Sequence, residues 1–352
     1  MLTAILSAIG IIVVIIIAHE LGHFITAKST GVKVDEFGIG FPPRLLSIRR
    51  GETLYSLNAI PMGGFVKLAG EQDPKVERSL ASKGIGARLM VLSAGSLMNA
   101  LLPLFLFSIA FMVPHDVVMG QVVVEEIAEN SPAAKANIRA GDTIISINGK
   151  EMNSTLDLSR YIQLNLGKET TFLLKHSDLS QEEVKLIPRW QPPQGEGAIG
   201  VAVRTLEPTI VSQSEPFWRA IPMGAIHTIE TLVLFKNGIL SLFIGAVPME
   251  VTGPIGIAQI ATEVAKAGVS PLLEFAAFLS INLAILNIIP LPALDGGRMA
   301  FVLLEWARRG KRVPPKKEGL VHLVGLFMLI GLILVITYQD ILRIMSGDSL
   351  IP

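Results

Sequence analysis

Apolar residues fall along this chain in long, nearly unbroken blocks, and that pattern sets its first division. Residues 1–27, 89–113, 272–297 and 319–340 each hold a run close to the roughly 20 apolar residues that a helix needs to cross a bilayer. The second block is interrupted only by Ser93, Ser96, Asn99 and Ser108. A fifth stretch, 216–247, is apolar too, but it carries Arg219, His227, Glu230, Lys236 and Asn237. It reads as an amphipathic, interfacial helix rather than a span.

Between the blocks the pattern changes. In 28–88, glycines at 38, 40, 51, 63, 64 and 70 punctuate short β-prone pieces. Leu45 to Ile48 and Leu54 to Leu57 flank Arg49-Arg50-Gly51-Glu52, a hairpin turn, and Phe65 to Leu68 reads as a further strand. A β-rich loop packed on the membrane face follows. Residues 116–205 alternate like a water-soluble α+β domain. Strands are expected at Gln121–Glu125, Thr143–Ile147 and Thr170–Leu174, a turn at Asn148-Gly149 and a helix from Ser154 to Leu166. Pro192 to Gly197 reads as a loop near its end. The stretch from Ser131 to Lys150 resembles the bacterial PDZ signature. Such domains bind extended peptides by strand addition, and a spacer or gate without ligand is equally open here.

The fold expected is therefore a polytopic α-helical membrane protein of about four transmembrane helices. It has a membrane-associated β-rich loop and an inserted PDZ-like domain. Composition agrees: half of the 352 residues are hydrophobic, 17% are charged, and mean hydropathy is +0.54. Lys and Arg balance Asp and Glu, so no global charge draws the chain to nucleic acid. There is no Cys, which excludes disulfides and thiolate ligands. The basic residues concentrate in 28–88 and in 298–317, which places both loops in the cytoplasm and 116–205 outside. The first eight residues hold no Lys or Arg, so the first block is not expected to be a removable signal peptide.

Candidate chemistry lies at the cytoplasmic end of the first block. His19-Glu20-Leu21-Gly22-His23 puts two imidazoles four residues apart, on one face of a helix. That spacing suits one zinc, with Glu20 placed to activate water. Charged groups at membrane depth cost about 2.5–3.5 kcal/mol each on insertion scales, so their presence there points to use. With no Cys, the third ligand is a His or a carboxylate. His115 and His176 lie in the outside segment, His227 in the amphipathic stretch, and His322 begins the last block; each reads as surface or packing. Asp35 and Glu36 have a near-suitable spacing but precede a loop outside the membrane. Asp295 is the better candidate. Its segment, Asn287 to Arg298, contains two prolines and two glycines at membrane depth. Irregular backbone is tolerated there only where protein or a cavity surrounds it.

These residues together resemble the site-2 protease family of intramembrane zinc metalloproteases, in its bacterial form with an extracytoplasmic PDZ domain. The resemblance rests on His19 to His23, Asn287 to Gly297, the PDZ-like insert and Gly253-Pro254-Ile255-Gly256. It implies a Zn2+ cofactor with His19, His23 and Asp295 as ligands, Glu20 as general acid/base and Asn287 in contact with unwound substrate. It implies a bacterial cytoplasmic-membrane location. It also implies single-span membrane proteins as substrates, already trimmed outside, such as anti-sigma-factor-like proteins or signal-peptide remnants. The β-rich loop, at Leu54–Leu57 or Phe65–Leu68, is expected to hold the substrate as an added strand. One PDZ-like module is present where some relatives have two. A membrane zinc transporter would not need Glu20 beside His19, and a non-catalytic PDZ adaptor would leave the zinc pattern unexplained.

Overall fold

A computed structural model describes residues 2–246 and 252–346. In chain order the elements are α1 (Leu2–Ser29), β1 (Val34–Arg50), β2 (Thr53–Leu68), α2 (Ile85–Met112), β3 (His115–Ile127), α3 (Pro132–Lys135), β4 (Thr143–Ile147), β5 (Lys150–Glu151), α4 (Thr155–Leu164), β6 (Thr170–Lys175), β7 (Gln181–Leu186), β8 (Val201–Gln213), α5 (Phe217–Phe243), α6 (Pro254–Ala267), α7 (Val269–Ile288), α8 (Asp295–Ala307) and α9 (Pro315–Ser346). They divide into two compact units. One comprises Met1–Ala110, Ala220–Gly224 and Val251–Pro352, the other Phe111–Arg219 and Ala225–Glu250.

The first unit carries the candidate chemistry. Its α1 contains Ile11-Ile12-Val13-Val14-Ile15-Ile16-Ile17, a β-branched run that favours strand in water. In lipid an open strand would leave backbone groups unpaired, so the same run is helical. α2 turns its polar interruptions inward: Ser96, Asn99 and Ser108 are all buried. α7 buries Ser270, Ala277, Ser280, Ala284 and Asn287 at helical spacing. Ser280 Oγ donates to the Asn99 carbonyl at 2.8 Å, which joins α7 to α2. An apolar core of Ala27, Val32, Val34, Leu68, Leu80, Val91, Leu92 and Val302 ties α1, both strands, α2 and α8 together. Each fully buried Val or Leu there contributes about 1.5–3 kcal/mol. Arg88 and Arg312 both donate to the buried Glu305 of α8. Burial pushes the Glu305 carboxyl up, but these two guanidinium groups outweigh it and hold it below the ordinary carboxylate range.

β1 and β2 form the hairpin expected around Gly51, but each strand folds back on itself. Phe37 pairs with both Val66 and Tyr55, and Tyr55 pairs in turn with Ile48. The result is a four-segment sheet in the order 64–67, 36–39, 54–57, 46–49, antiparallel at its two outer pairs and parallel between 36–39 and 54–57. Segment 54–57 is therefore interior and has no free edge for an added strand, unlike segment 64–67. At the far edge Leu45, Leu46 and Ile48 are exposed, an apolar edge that suits a membrane face better than water.

The second unit holds the insert. Its sheet runs β7-β6-β4-β3-β8, entirely antiparallel, with β5 beside β4. The core is Val122, Val124, Ile144, Ile147, Leu158, Ile162, Phe172, Leu174 and Ile199. The three expected strands are β3, β4 and β6, and the expected helix is α4, capped by Ser154 Oγ accepting from the Asp157 N–H. β3 and β8 run beyond the expected domain as a ribbon pairing His115 with Gln213.

Among the described residues, five helices have the length and apolarity to cross a membrane: Ile9–Ser29, Ile85–Met112, Phe217–Phe243, Val269–Ile288 and Pro315–Ser346. Four match the expected spans. The fifth is α5, read from sequence as interfacial, and its hydropathy of 1.2 is the lowest of the set. Two of its polar residues are paired with the insert. Glu230 accepts from Arg160 and Tyr161, and Asn237 donates to the Gln163 carbonyl.

Candidate metal centre

α1 places His19 and His23 one turn apart with both rings turned to the same side. Their Nε2 atoms are 3.2 Å from each other, and each is 3.1 Å from Asp295 Oδ2. Two imidazole nitrogens and one carboxylate oxygen thus converge on one point between α1 and the start of α8. Three lone pairs so close need a cation or shared protons to be stable. The donor set fits zinc, which takes nitrogen and oxygen ligands and keeps a fourth position open in catalytic sites.

Asp295 reaches this point because of the break before it. α7 ends at Ile288, and residues 289–294 form a turn in which Ala293 has φ +75°. The Ala293 N–H donates to His322 Nδ1 of α9 at 3.0 Å. Gly296 lies where any Cβ would fall 2.1 Å from the Ile289 carbonyl oxygen, so the turn closes against α8 only with glycine there.

Glu20 is the next residue along α1 and faces a cavity of about 200 Å³ that also meets His19, His23, Asp295, Phe65 and Val66. It sits against segment 64–67, with Gly64 beside its Cγ. At the margin of the cavity Arg298 pairs with Glu71 at 3.0 Å.

The other sequence candidates lie elsewhere. Asp35 pairs with Lys33, and Glu36 accepts from Arg44 and Ser56. His115 bonds the Val113 carbonyl, and His227 packs edge-on to Phe111. His176 lies between Asp142 and Glu182, whose carboxylates raise its imidazole above the ordinary value. Asn287 is buried in the last turn of α7 and does not line the cavity. His322, read from sequence as packing, supports the Ala293 turn instead.

This geometry has a family behind it. The model of peptidase family M50 matches residues 7–332. The chain belongs to peptidase family M50. A Clostridium acetobutylicum relative is 36% identical over 93% of this chain and 94% of its own. The zinc metalloprotease RasP of Geobacillus kaustophilus is 29% identical over 97% and 98%. The regulator of sigma-W protease RasP of Bacillus subtilis is 27% identical over 93% and 95%. The solved PDZ domain of an SdrC-like protein from Listeria innocua is 26% identical, covering 25% of this chain and 97% of its own at a TM-score of 0.22. This M50 member is an intramembrane zinc metalloprotease and a multi-pass helical membrane protein.

Proposed function

We propose that His19, His23 and Asp295 hold the zinc and that Glu20 is the general acid/base, cutting single-span membrane proteins already trimmed outside the cell. The observation that carries this is the convergence of His19 Nε2, His23 Nε2 and Asp295 Oδ2 beside Glu20, with His19, Glu20 and His23 on a helix long enough to span a membrane. When bound, zinc lowers the pKa of a ligated water toward about 7 and polarises the scissile carbonyl. Glu20 accepts the proton of the attacking water and delivers it to the leaving amine nitrogen. Segment 64–67 offers a strand edge where Phe65 and Val66 meet the cavity. A substrate helix, unwound locally, pairs there with its scissile bond toward Glu20. Asn287, just before the turn that carries Asp295, is the remaining candidate for a substrate contact. The RasP name of the Bacillus subtilis relative supports membrane-bound regulators, of the anti-sigma-factor kind, as the substrate class.

The site lies toward the cytoplasmic side of the cell membrane in this reading. The Lys- and Arg-rich loops 28–88 and 298–317 support it. Helix directions bear on α5 as well. The C-terminal halves of α1 and α7 lead to the same metal point, so both helices run toward the same face, while α2 runs back. Between α2 and α7 the chain must therefore make no net crossing. α6 has 14 residues, too few for the roughly 20 of a span. α5 then lies along the interface rather than crossing alone. Single-cysteine labelling is clean in a chain without Cys. Residue 75 should label from the cytoplasmic side and residue 151 from outside; the reverse result would refute the topology.

The PDZ-like insert carries none of the proposed ligands and restricts which substrates reach the site. The paired stem of His115–Met119 with Thr209–Gln213 offers a place to remove it. Residues 121–207 replaced by a short Gly/Ser turn should leave zinc content unchanged. Two substrates sharing one transmembrane segment, with long and short outer domains, report the outcome. The intact enzyme should cut only the short one, and the deleted enzyme both. Continued rejection of the long substrate would remove the gating role.

A further inference from the structure

One face of α2 lies against both site imidazoles. Val91, Gly95 and Asn99 are spaced by four and so stand in a row. The Val91 carbonyl is 2.8 Å from His23 Nδ1. A Cβ on Gly95 would fall 2.4 Å from His23 Nε2 and 2.6 Å from His19 Nε2, so only glycine lets α2 come this close. Asn99 is fully buried, and its amide nitrogen Nδ2 is placed 3.2 Å from His19 Nδ1. Among the described residues that is its one side-chain hydrogen bond, and the other end of the amide has no partner. The backbone carbonyl of Asn99 is held by Ser280 of α7.

We propose that Asn99 is a positioning residue for His19, its side-chain carbonyl accepting the Nδ1–H so that Nε2 presents its lone pair to the metal. This rests on the reading of His19 as a ligand through Nε2. A neutral imidazole carries one N–H, and an Nε2 that ligates a metal leaves that proton on Nδ1. A buried Nδ1–H needs an acceptor. His23 has one that cannot be anything else, the Val91 carbonyl. His19 has only Asn99, whose amide can offer either end. With NH2 toward Nδ1, Asn99 would hold the proton on His19 Nε2, where it blocks the ligating lone pair. With the oxygen toward Nδ1, the ring is locked in the ligating tautomer. A half-turn of the amide about its Cβ–Cγ bond exchanges its two ends in the same space, and one end stays unpaired either way, so ligation through His19 Nε2 selects the oxygen toward Nδ1. α2 thus supplies the outer partner of both imidazoles, one from its backbone and one from a side chain.

The test uses full-length protein in detergent, with zinc affinity read by chelator competition and ligand geometry by the absorption spectrum of the cobalt-substituted form. Asn99→Leu keeps the volume and removes the acceptor; it should weaken zinc binding by about 10–100-fold. Asn99→Asp keeps an acceptor and should bind zinc near wild-type affinity with an unchanged cobalt spectrum. Zinc binding by Asn99→Leu as tight as wild type would overturn the proposal. So would Asn99→Asp as weak as Asn99→Leu, because packing alone would then explain both. Nitrogen-15 spectra of the unmutated, zinc-loaded protein give a reading that does not depend on a variant folding. They should show His19 protonated at Nδ1, and a proton on Nε2 would refute the assignment. Wild-type protein that binds no zinc would instead refute the ligand reading itself, and this proposal with it.

Discussion

Asp295→Ala is expected to strip the protein of zinc and abolish proteolysis together. Two imidazoles would remain, and both lose the oxygen that sits 3.1 Å from each Nε2. Two nitrogens alone are too few for a tight zinc site, and the affinity loss should exceed the roughly 10–100-fold typical of changes to outer partners. Asp295 opens α8 without a side-chain cap from Leu294. Its carboxylate is also favourable near a helix N-terminus by about 0.3–1 kcal/mol, so some local loosening accompanies the loss. Asp295→Asn separates the two effects. It preserves size and a weak oxygen donor, and should leave the helix intact while still lowering zinc affinity. Metal analysis of purified protein and cleavage of a model transmembrane substrate give both readings. Unchanged zinc affinity in Asp295→Ala would return attention to other carboxylates. Asp35 and Glu36 would be poor replacements, since Lys33, Arg44 and Ser56 already engage them.

Glu20→Gln should give the opposite pairing: zinc retained, turnover lost. Glu20 lines the cavity but is not one of the three convergent groups proposed as ligands. The substitution keeps shape and removes the base, and general acid–base catalysis contributes typically about 10²–10⁴-fold. A fall of that size with stoichiometric zinc is the expected result. Normal turnover in Glu20→Gln would end the proposed mechanism. Taken together the two variants distinguish a residue that moves protons from one that holds metal, which activity alone cannot do.

Much of this was legible along the chain because the information is local. His19, Glu20 and His23 lie within one and a half turns of one helix, so their spacing alone puts the imidazoles together. The Pro- and Gly-rich break around Asp295 marks itself within a dozen residues. The insert's β3, β4 and β6 alternate cleanly because one face of each packs on the core. β7 was illegible for the converse reason: Gln181-Glu182-Glu183-Val184-Lys185-Leu186 buries only Val184 and Leu186. The fold-back of β1 and β2 is set by pairings such as Phe37 with both Val66 and Tyr55, and no local pattern specifies which edges meet. Asn99 and His322 were visible only as a polar interruption and a stray histidine. Their partners, His19 and Ala293, are 80 and 29 positions away in sequence. The polar residues of α5 say nothing by themselves of the pairing of Glu230 and Asn237 with Arg160 and Gln163 of the insert, 70 and 74 positions away.

The distance in sequence between the site's two halves has a bearing on biogenesis. His23 and Asp295 are 272 residues apart. At about 5–20 residues per second, ribosomes need roughly 15–55 s to make the intervening chain. For all that time His19 and His23 are already synthesised within a helix that is stable only in lipid. On the proposed ligand set, a nascent chain offers only two imidazoles, too few for a tight zinc site, until Asp295 has been made. The order in which the polypeptide emerges thus sets the earliest moment at which the proposed site can be complete.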